Sequence, residues 1–388
     1  AWEAWGPGMI DRFIGMFAFR LYDAKEQKLY CFRDRAGVKP FYYYWHNGLF
    51  LFASELKSFH QHPGFVKSIH QPALRQLLQY GYILAPLSIF EHCAKLLPGH
   101  YLSFDLAKKS FALHRYWDVY DAYRKPKIDI SEAEAISETE KLLSNACRYR
   151  MVSDVPVGVF LSGGYDSTAV TALLQSSQTE KLKTFTIGFH EEDHNEAGYA
   201  KMVANHLGTD HEEYYCTTKE AQEIIPDIPF YCDEPFGDSS IIPTTLVSKL
   251  ARRKVTVALS ADAGDEIFAG YSKYPLALGF HQKISKLPGL LRNPASSILR
   301  AAPDGLLIKL SGNSAAAIKK ARMAELLKKK GLKPSDIMDQ LLSQVYSDTQ
   351  VAGLLSNNTK RPGSFFDSGD ELPENAGELN RMLAIDYK

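Results

Sequence analysis

Apolar and polar positions alternate with period two through much of the first 117 residues. The runs "GMFAFRLYD", "KLYCFRD", "KPFYYYW" and "LFLFASE" predict strands, with "HNG" as the turn between the last two. "QPALRQLLQYGYI" carries helical spacing, and "LLPGHYLSFDL" reads as a turn into a further strand. Short strands and turns of this kind predict an antiparallel, layered β region. Residues 118–131, "DVYDAYRKPKIDIS", mix charge and proline and read as a linker. Beyond them "SEAEAISETEKLLSNACRYRM" has apolar residues at helical spacing, opened by Ser131 with Glu134 three positions on, a capping-box pattern.

From residue 155 the pattern changes. "VPVGVFLS", "LKTFTIGF", "DHEEYYC" and "VTVALS" read as strands. Between them "DSTAVTALLQSS", "NEAGYAKMVANHLG", "TKEAQEIIPDIPFY" and "PTTLVSKLARRK" read as helices. Strands alternating with helices predict a parallel sheet covered on both faces. Residues 272–388 hold helical segments and no clear strand. The predicted fold class is therefore α/β: a parallel-sheet domain with a helical C-terminal extension, over residues 121–388, preceded by a smaller antiparallel domain over residues 1–120.

Length and composition constrain this picture without changing it. The 388 residues exceed what one core normally serves. Lysine plus arginine and aspartate plus glutamate number 45 each, so no global field favours nucleic acid or an anionic membrane. The five cysteines are scattered, with no C-x-x-C pair, which fits the reduced thiols of a cytoplasmic protein. No stretch approaches the ~20 apolar residues of a membrane span. "AWEAWGPGMI" lacks the features of a signal peptide and an initiator methionine, so the sequence reads as beginning inside a longer chain.

The candidate chemistry lies where strands end. In "FLSGGYDSTAV", residues 160–170, Ser162, Gly163 and Gly164 fall between a strand and a helix. Glycines let backbone N–H groups approach an anion, and the helix presents its positive end. Ser162, Ser167 and Thr168 add hydroxyls. The lysine of a G-x-x-x-x-G-K-S/T nucleotide loop is missing, as is G-x-G-x-x-G. Asp166 would repel a bare phosphate, so it suggests a magnesium ion in between. A plain strand-to-helix turn shares these residue types. The second loop, "VTVALSADAGDEIFAGY", weighs against that reading: it repeats the layout and sets Asp262, Asp265 and Glu266 at another strand end. If the two strands are neighbours, Asp166 and Asp265 hold magnesium between them and Asp262 lies nearer the reacting group.

"LSGGYDS" is similar to the pyrophosphate-binding S-G-G-x-D-S loop of ATP pyrophosphatases. With "DEPFGDSSIIPT" and "LSADAGDEIFAGY" it resembles the synthetase domain of the glutamine-hydrolysing asparagine synthetase family. "GMFAFRLYD", "RDRAGVKPFYYY" and "FASELKSF" resemble the second half of that family's glutaminase domain, an N-terminal-nucleophile hydrolase fold. The resemblance implies ATP and Mg2+ as cofactors. It also implies activation of a carboxylate, aspartate first, as an acyl-adenylate with release of pyrophosphate, then attack by ammonia derived from glutamine. It implies that Leu161 and Ile187 flank adenine, that Ser260 and Ala261 meet the nucleotide, and that Ser162, Gly163, Gly164 and Ser167 cradle pyrophosphate. Asp262 matches the acidic residue tied to adenylate formation. The partners implied are small molecules: ATP, a carboxylate acceptor, and glutamine or ammonia. A homodimer is the oligomer considered.

Two departures qualify the resemblance. The family's loop reads L-S-G-E/D-G-A/G-D-E, whereas Ala261 and Ala263 replace both glycines here. The family's N-terminal cysteine has no counterpart, because the sequence starts about halfway through the glutaminase domain; a later lysine-containing segment would follow residue 388. The sequence as it stands is therefore expected not to hydrolyse glutamine by the family's mechanism. Rival expectations are the same adenylation on another carboxylate (sugar acid amidation or lactam formation), a catalytically impaired scaffold, and an ATP pyrophosphatase using free ammonia. Asp233, Glu234 and Asp238 stand where a second substrate could sit. "HEEDH", 190–194, matches H-E-x-x-H without a helix to carry it, "NNT", 357–359, fits a glycosylation acceptor without other signs of secretion, and "IKKARMAELLKKKGLK" reads as a solvated helix face.

Overall fold

The structure, a computed structural model, describes residues 1–190, 195–305, 309, 315–355, 372–373 and 376–388. The N-terminal strands are β1 (Ala18–Asp23), β2 (Lys28–Arg33), β3 (Tyr42–His46), β4 (Leu49–Ala53), β5 (Cys93–Lys95), β6 (His100–Asp105) and β7 (Ser110–Arg115). They form two antiparallel sheets, ordered β1-β2-β6-β7 and β4-β3-β5. The β3–β4 hairpin closes on Asn47-Gly48, both at positive φ (48° and 76°), the geometry a two-residue turn requires. Alternation along β3 sends Tyr43 into the core with Cys31, Leu102 and Phe104, and Tyr44 into a second cluster with Leu56, Phe59 and Ala73. The antiparallel layered region predicted from the period-two pattern is thus present, and β5 and β7 extend it.

The second sheet system contains β8 (Val157–Phe160), β9 (Lys183–Phe189), β10 (Asp210–Cys216) and β11 (Val257–Leu259), ordered β10-β9-β8-β11 and parallel throughout. Helices α1 (Tyr165–Ser176), α2 (Ala197–Leu207) and α3 (Ile241–Ala251) connect and cover it. On one face Val159 and Leu174 pack with Cys147 of the helix Glu132–Met151. Elsewhere Phe185 meets Val247, Leu250 and Ala251 of α3. The chain builds outward from β8 through β9 and β10, then returns to β11 on β8's other side. That reversal is the place where open α/β sheets bind ligands. After β11 the described elements are helical: α4 (Gly264–Phe268) is followed by helix Lys273–Ser285, helix Ala315–Lys328 and α5 (Glu378–Tyr387), and these last three share a core around Tyr274, Leu326, Met338 and Met382.

Three expectations change. Residues 118–123 are not a free linker: Asp118 caps the helix Val119–Tyr123, and Tyr120 is fully buried against Leu372, Ala376 and Ala384. Residues 124–131 are exposed throughout. "TKEAQEIIPDIPFY" is not one helix, because Pro226 and Pro229 divide it into Thr218–Ile224, a 3-10 turn at Ile225–Asp227, and Ile228–Tyr231. The basic run is not simply solvated, since Arg322 is buried and donates to the Gln344 and Val345 carbonyls. "NNT" and Glu191–His194 of "HEEDH" lie outside the described residues. None of the five cysteines forms a disulfide; Cys31, Cys93, Cys147 and Cys216 are buried and Cys232 is half-buried. No described helix is long and apolar enough to cross a membrane.

Candidate active site

The first loop leaves β8 at Phe160 and enters α1 at Tyr165. The Ser162 N–H donates to Ser167 Oγ at 3.2 Å, the two serine hydroxyls meet at 3.0 Å, and the Gly164 N–H donates to Ser162 Oγ at 3.3 Å. These bonds curl the backbone around the serine pair. Gly163 sits at φ 84°, where a β-carbon would lie 2.7 Å from the Ala200 nitrogen as α2 passes behind. Both the dihedral and the space demand glycine there. Gly164 caps α1 without a side-chain bond, so N–H groups of the first turn remain available to an anion.

The second loop leaves β11 beside the first. Val159 of β8 stands opposite Leu259 of β11 in a parallel pair, so both loops emerge from the same edge of the sheet. The Ser260 hydroxyl donates to the Asp262 carboxylate. A β-carbon on Gly264 would lie 2.5 Å from Asp166 Oδ2, so the Asp166 carboxylate reaches across to the start of α4. Ala263 and Ala269, flanking α4, are left-handed at φ 72° and 59°. The Tyr271 hydroxyl donates to Glu266 at 3.2 Å. Burial and that carboxylate push the phenol up to about 12, so it remains a neutral donor at neutral pH.

Both loops open into one cavity of about 810 Å³. Leu161, Ser162, Gly164, Asp166, Ser167, Ile187, Ser260, Ala261, Asp262 and Asp265 all line it. Gly163 does not, being packed against α2. The wall also includes Thr186, Glu196, Pro243 and Val247, which the sequence reading did not single out. Pro243 and Val247 look like any apolar helical positions, and only the tertiary placement of α3 brings them here.

The charge of this lining is one-sided. Carboxylates of Asp166, Glu196, Asp262 and Asp265 face the cavity, and among the described residues its lining holds no lysine or arginine. A triphosphate would be repelled unless a cation stood between. All-oxygen donors suit magnesium, which takes one or two carboxylates and completes its shell with phosphate and water. Among the described residues no three or more of His, Cys, Asp and Glu converge as a ready cage.

Asp233 and Glu234 are not at this cavity. Asp233 accepts the Leu56 N–H at 2.5 Å and Glu234 accepts the Ile89 N–H at 2.8 Å, both toward the N-terminal domain. Asp238 accepts the Ser240 N–H at 2.8 Å ahead of α3. The expectation that these residues meet a second substrate therefore gives way, for Asp233 and Glu234, to a role between the domains.

Comparison with known sequences follows the same division. Residues 138–388 match the asparagine synthase family, and residues 1–117 match the glutamine amidotransferase domain family. A Methanocaldococcus jannaschii protein provisionally named asparagine synthetase (glutamine-hydrolyzing) 2 is 41% identical over 297 residues, 76% of this chain and 56% of that protein. Asparagine synthetase (glutamine-hydrolyzing) 1 of Bacillus subtilis is 31% identical over 298 residues, 75% of this chain and 45% of that protein. A more distant relative, amidase chyE of Penicillium rubens, is 28% identical over 290 residues, 70% of this chain and 42% of that protein. The chain spans about half the length of these curated relatives.

Proposed function

The chain belongs to the asparagine synthase family, and from that premise we propose that its parallel-sheet domain forms an amide bond at the expense of ATP, with aspartate as acceptor and asparagine as product. The observation that carries this reading is the convergence of the serine–glycine loop and the acidic loop on one cavity. In the proposed reaction an oxygen of the acceptor carboxylate attacks the α-phosphorus, and the bond to pyrophosphate breaks. Ammonia then attacks the acyl carbon, AMP leaves, and a proton passes to solvent. The Ser162 and Ser167 hydroxyls and the first-turn N–H groups of α1 are assigned to the departing pyrophosphate. These donors stabilise charge that grows in the transition state, where such contacts accelerate a reaction. Leu161 and Ile187 are assigned to adenine, Ser260 and Ala261 to the rest of the nucleotide, and Asp262, steadied by Ser260, to the reacting end. Asp166 and Asp265 would hold magnesium, which supplies charge neutralisation along the phosphates.

Ammonia from glutamine is assigned to the N-terminal domain, which matches the glutamine amidotransferase domain family. Five cysteines outside any disulfide support a cytoplasmic setting. A homodimer belongs to the same proposal, with Leu142, Tyr149 and Val152 exposed along and after one helix; sedimentation of the full chain tests it. A pyrophosphate-release assay tests the chemistry. Aspartate with ammonia should give signal, and Asp166→Asn should lower it by about 100-fold or more while the fold persists. Equal activity in the mutant would remove the metal assignment.

A second reading has its own observation. Ala263 occupies a left-handed position that favours glycine, and Ala261 adds a methyl group to the cavity lining. A narrowed cavity favours either a different carboxylate or an impaired scaffold. Signal with another acid and silence with aspartate would establish the first; no ATP-dependent heat in calorimetry would establish the second.

A further inference from the structure

The segment Cys232–Ser240 runs along the seam between the two domains and continues into α3. Its Asp233 and Glu234 carboxylates and the Gly237 N–H are committed to the N-terminal side. Asp233 accepts the Leu56 N–H at 2.5 Å and stands 3.3 Å from Lys57 Nζ. Lys57 also lies 5.1 Å from the Phe230 ring centroid. Glu234 accepts the Ile89 N–H at 2.8 Å and meets Lys95 Nζ at 2.6 Å. Lys95 donates in addition to the Ile83 carbonyl at 2.6 Å, and the Gly237 N–H donates to the Gly81 carbonyl at 2.7 Å.

These are buried groups: the Asp233, Glu234 and Lys95 side chains keep 9%, 10% and 16% of their exposure. Apolar side chains would hold a seam at lower desolvation cost, so a buried ion pair contributes geometry more than net stability. Here the geometry is fixed at three separate places on the N-terminal domain, the ends of β4 and of the helix Gln71–Tyr80 and the region of Ile89–Lys95. Only a few residues on, the same backbone becomes α3, whose Pro243 and Val247 form a wall of the nucleotide cavity. A shift of the N-terminal domain must therefore reach that wall through a short, tethered stretch of chain.

We propose that Asp233 and Glu234 are positioning residues that hold α3 in register with the N-terminal domain, so that nucleotide affinity in the synthetase cavity depends on that domain's placement. This rests on the reading of the cavity as an ATP site. Calorimetry of the full chain with ATP and magnesium tests it. Lys95→Arg keeps the pair and should bind as the wild type does. The double variant Glu234→Gln/Lys95→Met removes both charges together, leaving neither buried alone and keeping an acceptor for the Ile89 N–H, and should stay folded. Its Kd for ATP should nevertheless rise about tenfold, within the range expected of coupling residues. Should that protein fail to fold, Lys57→Met at the partly exposed end of the clamp should raise Kd by about threefold. Unchanged Kd in a folded variant overturns the proposal alone. Absence of heat in the wild type overturns the cavity reading and the proposal with it.

Discussion

Ala263 and Ala269 bracket the acidic helix α4 with backbones that an L side chain adopts at a cost of about 1–2 kcal/mol each. Glycine would relieve that strain but bring more freedom to the unfolded chain, so Ala263→Gly and Ala269→Gly should each stabilise by up to about 1 kcal/mol in denaturant titrations. The opposite holds at Gly264, where an added methyl would strike the Asp166 carboxylate. On the proposed assignment of Asp166 to magnesium, Gly264→Ala should weaken nucleotide binding about tenfold with little change in far-ultraviolet circular dichroism, since a misplaced ligand alters affinity before it alters the fold. At this scale the lining of the cavity was readable in sequence wherever residue type and strand end coincided: Ser162, Gly164, Asp166, Ser167, Asp262 and Asp265. The left-handed backbone at Ala263 was not, because alanine gives no sign of the dihedral it is made to adopt.

Elements were legible in proportion to how strongly burial imposed a period. β3, between two apolar clusters, shows its alternation plainly. β7 does not, because it is the outer strand of its sheet and leaves Ala112 and Leu113 exposed. β5, three residues long, is too short to show any period. The helix Glu132–Met151 was announced by its cap, and the structure contains both bonds of the box: the Glu134 N–H to Ser131 Oγ at 3.3 Å and the Ser131 N–H to Glu134 Oε2 at 2.9 Å. Ser131→Ala should cost about 1 kcal/mol of helix stability, visible as a lowered thermal midpoint. That helix buries Cys147 beneath β8, so fraying from its far end should leave the serine–glycine loop untouched. The α3 wall escaped sequence reading because an apolar helix face does not state which strand ends it will roof.

The molecule as a whole is closed by contacts between distant parts of the chain. Asp118 pairs with Arg115 at 3.3 Å and with Lys388, 270 residues away, at 3.0 Å. Burial would raise the Asp118 carboxyl, but the Tyr120 N–H, Lys388 and Arg115 outweigh it and hold it below the ordinary 3.8. A depressed folded value means that its stabilisation is complete above about pH 3.8 and is lost as pH falls through the folded value. Acid titration followed by tryptophan fluorescence, reporting Trp117 beside Tyr387, should show α5 loosening in that range, and Asp118→Asn should abolish the step. Cys232 stands one residue before the clamp, and burial followed by the Asp233 charge raises its thiol. The four other thiols are sealed in cores, so an alkylating reagent finds a single slow target on native protein. The rate at which that sulfur is consumed is thus a built-in gauge of how far the two halves breathe apart, with no engineered label required.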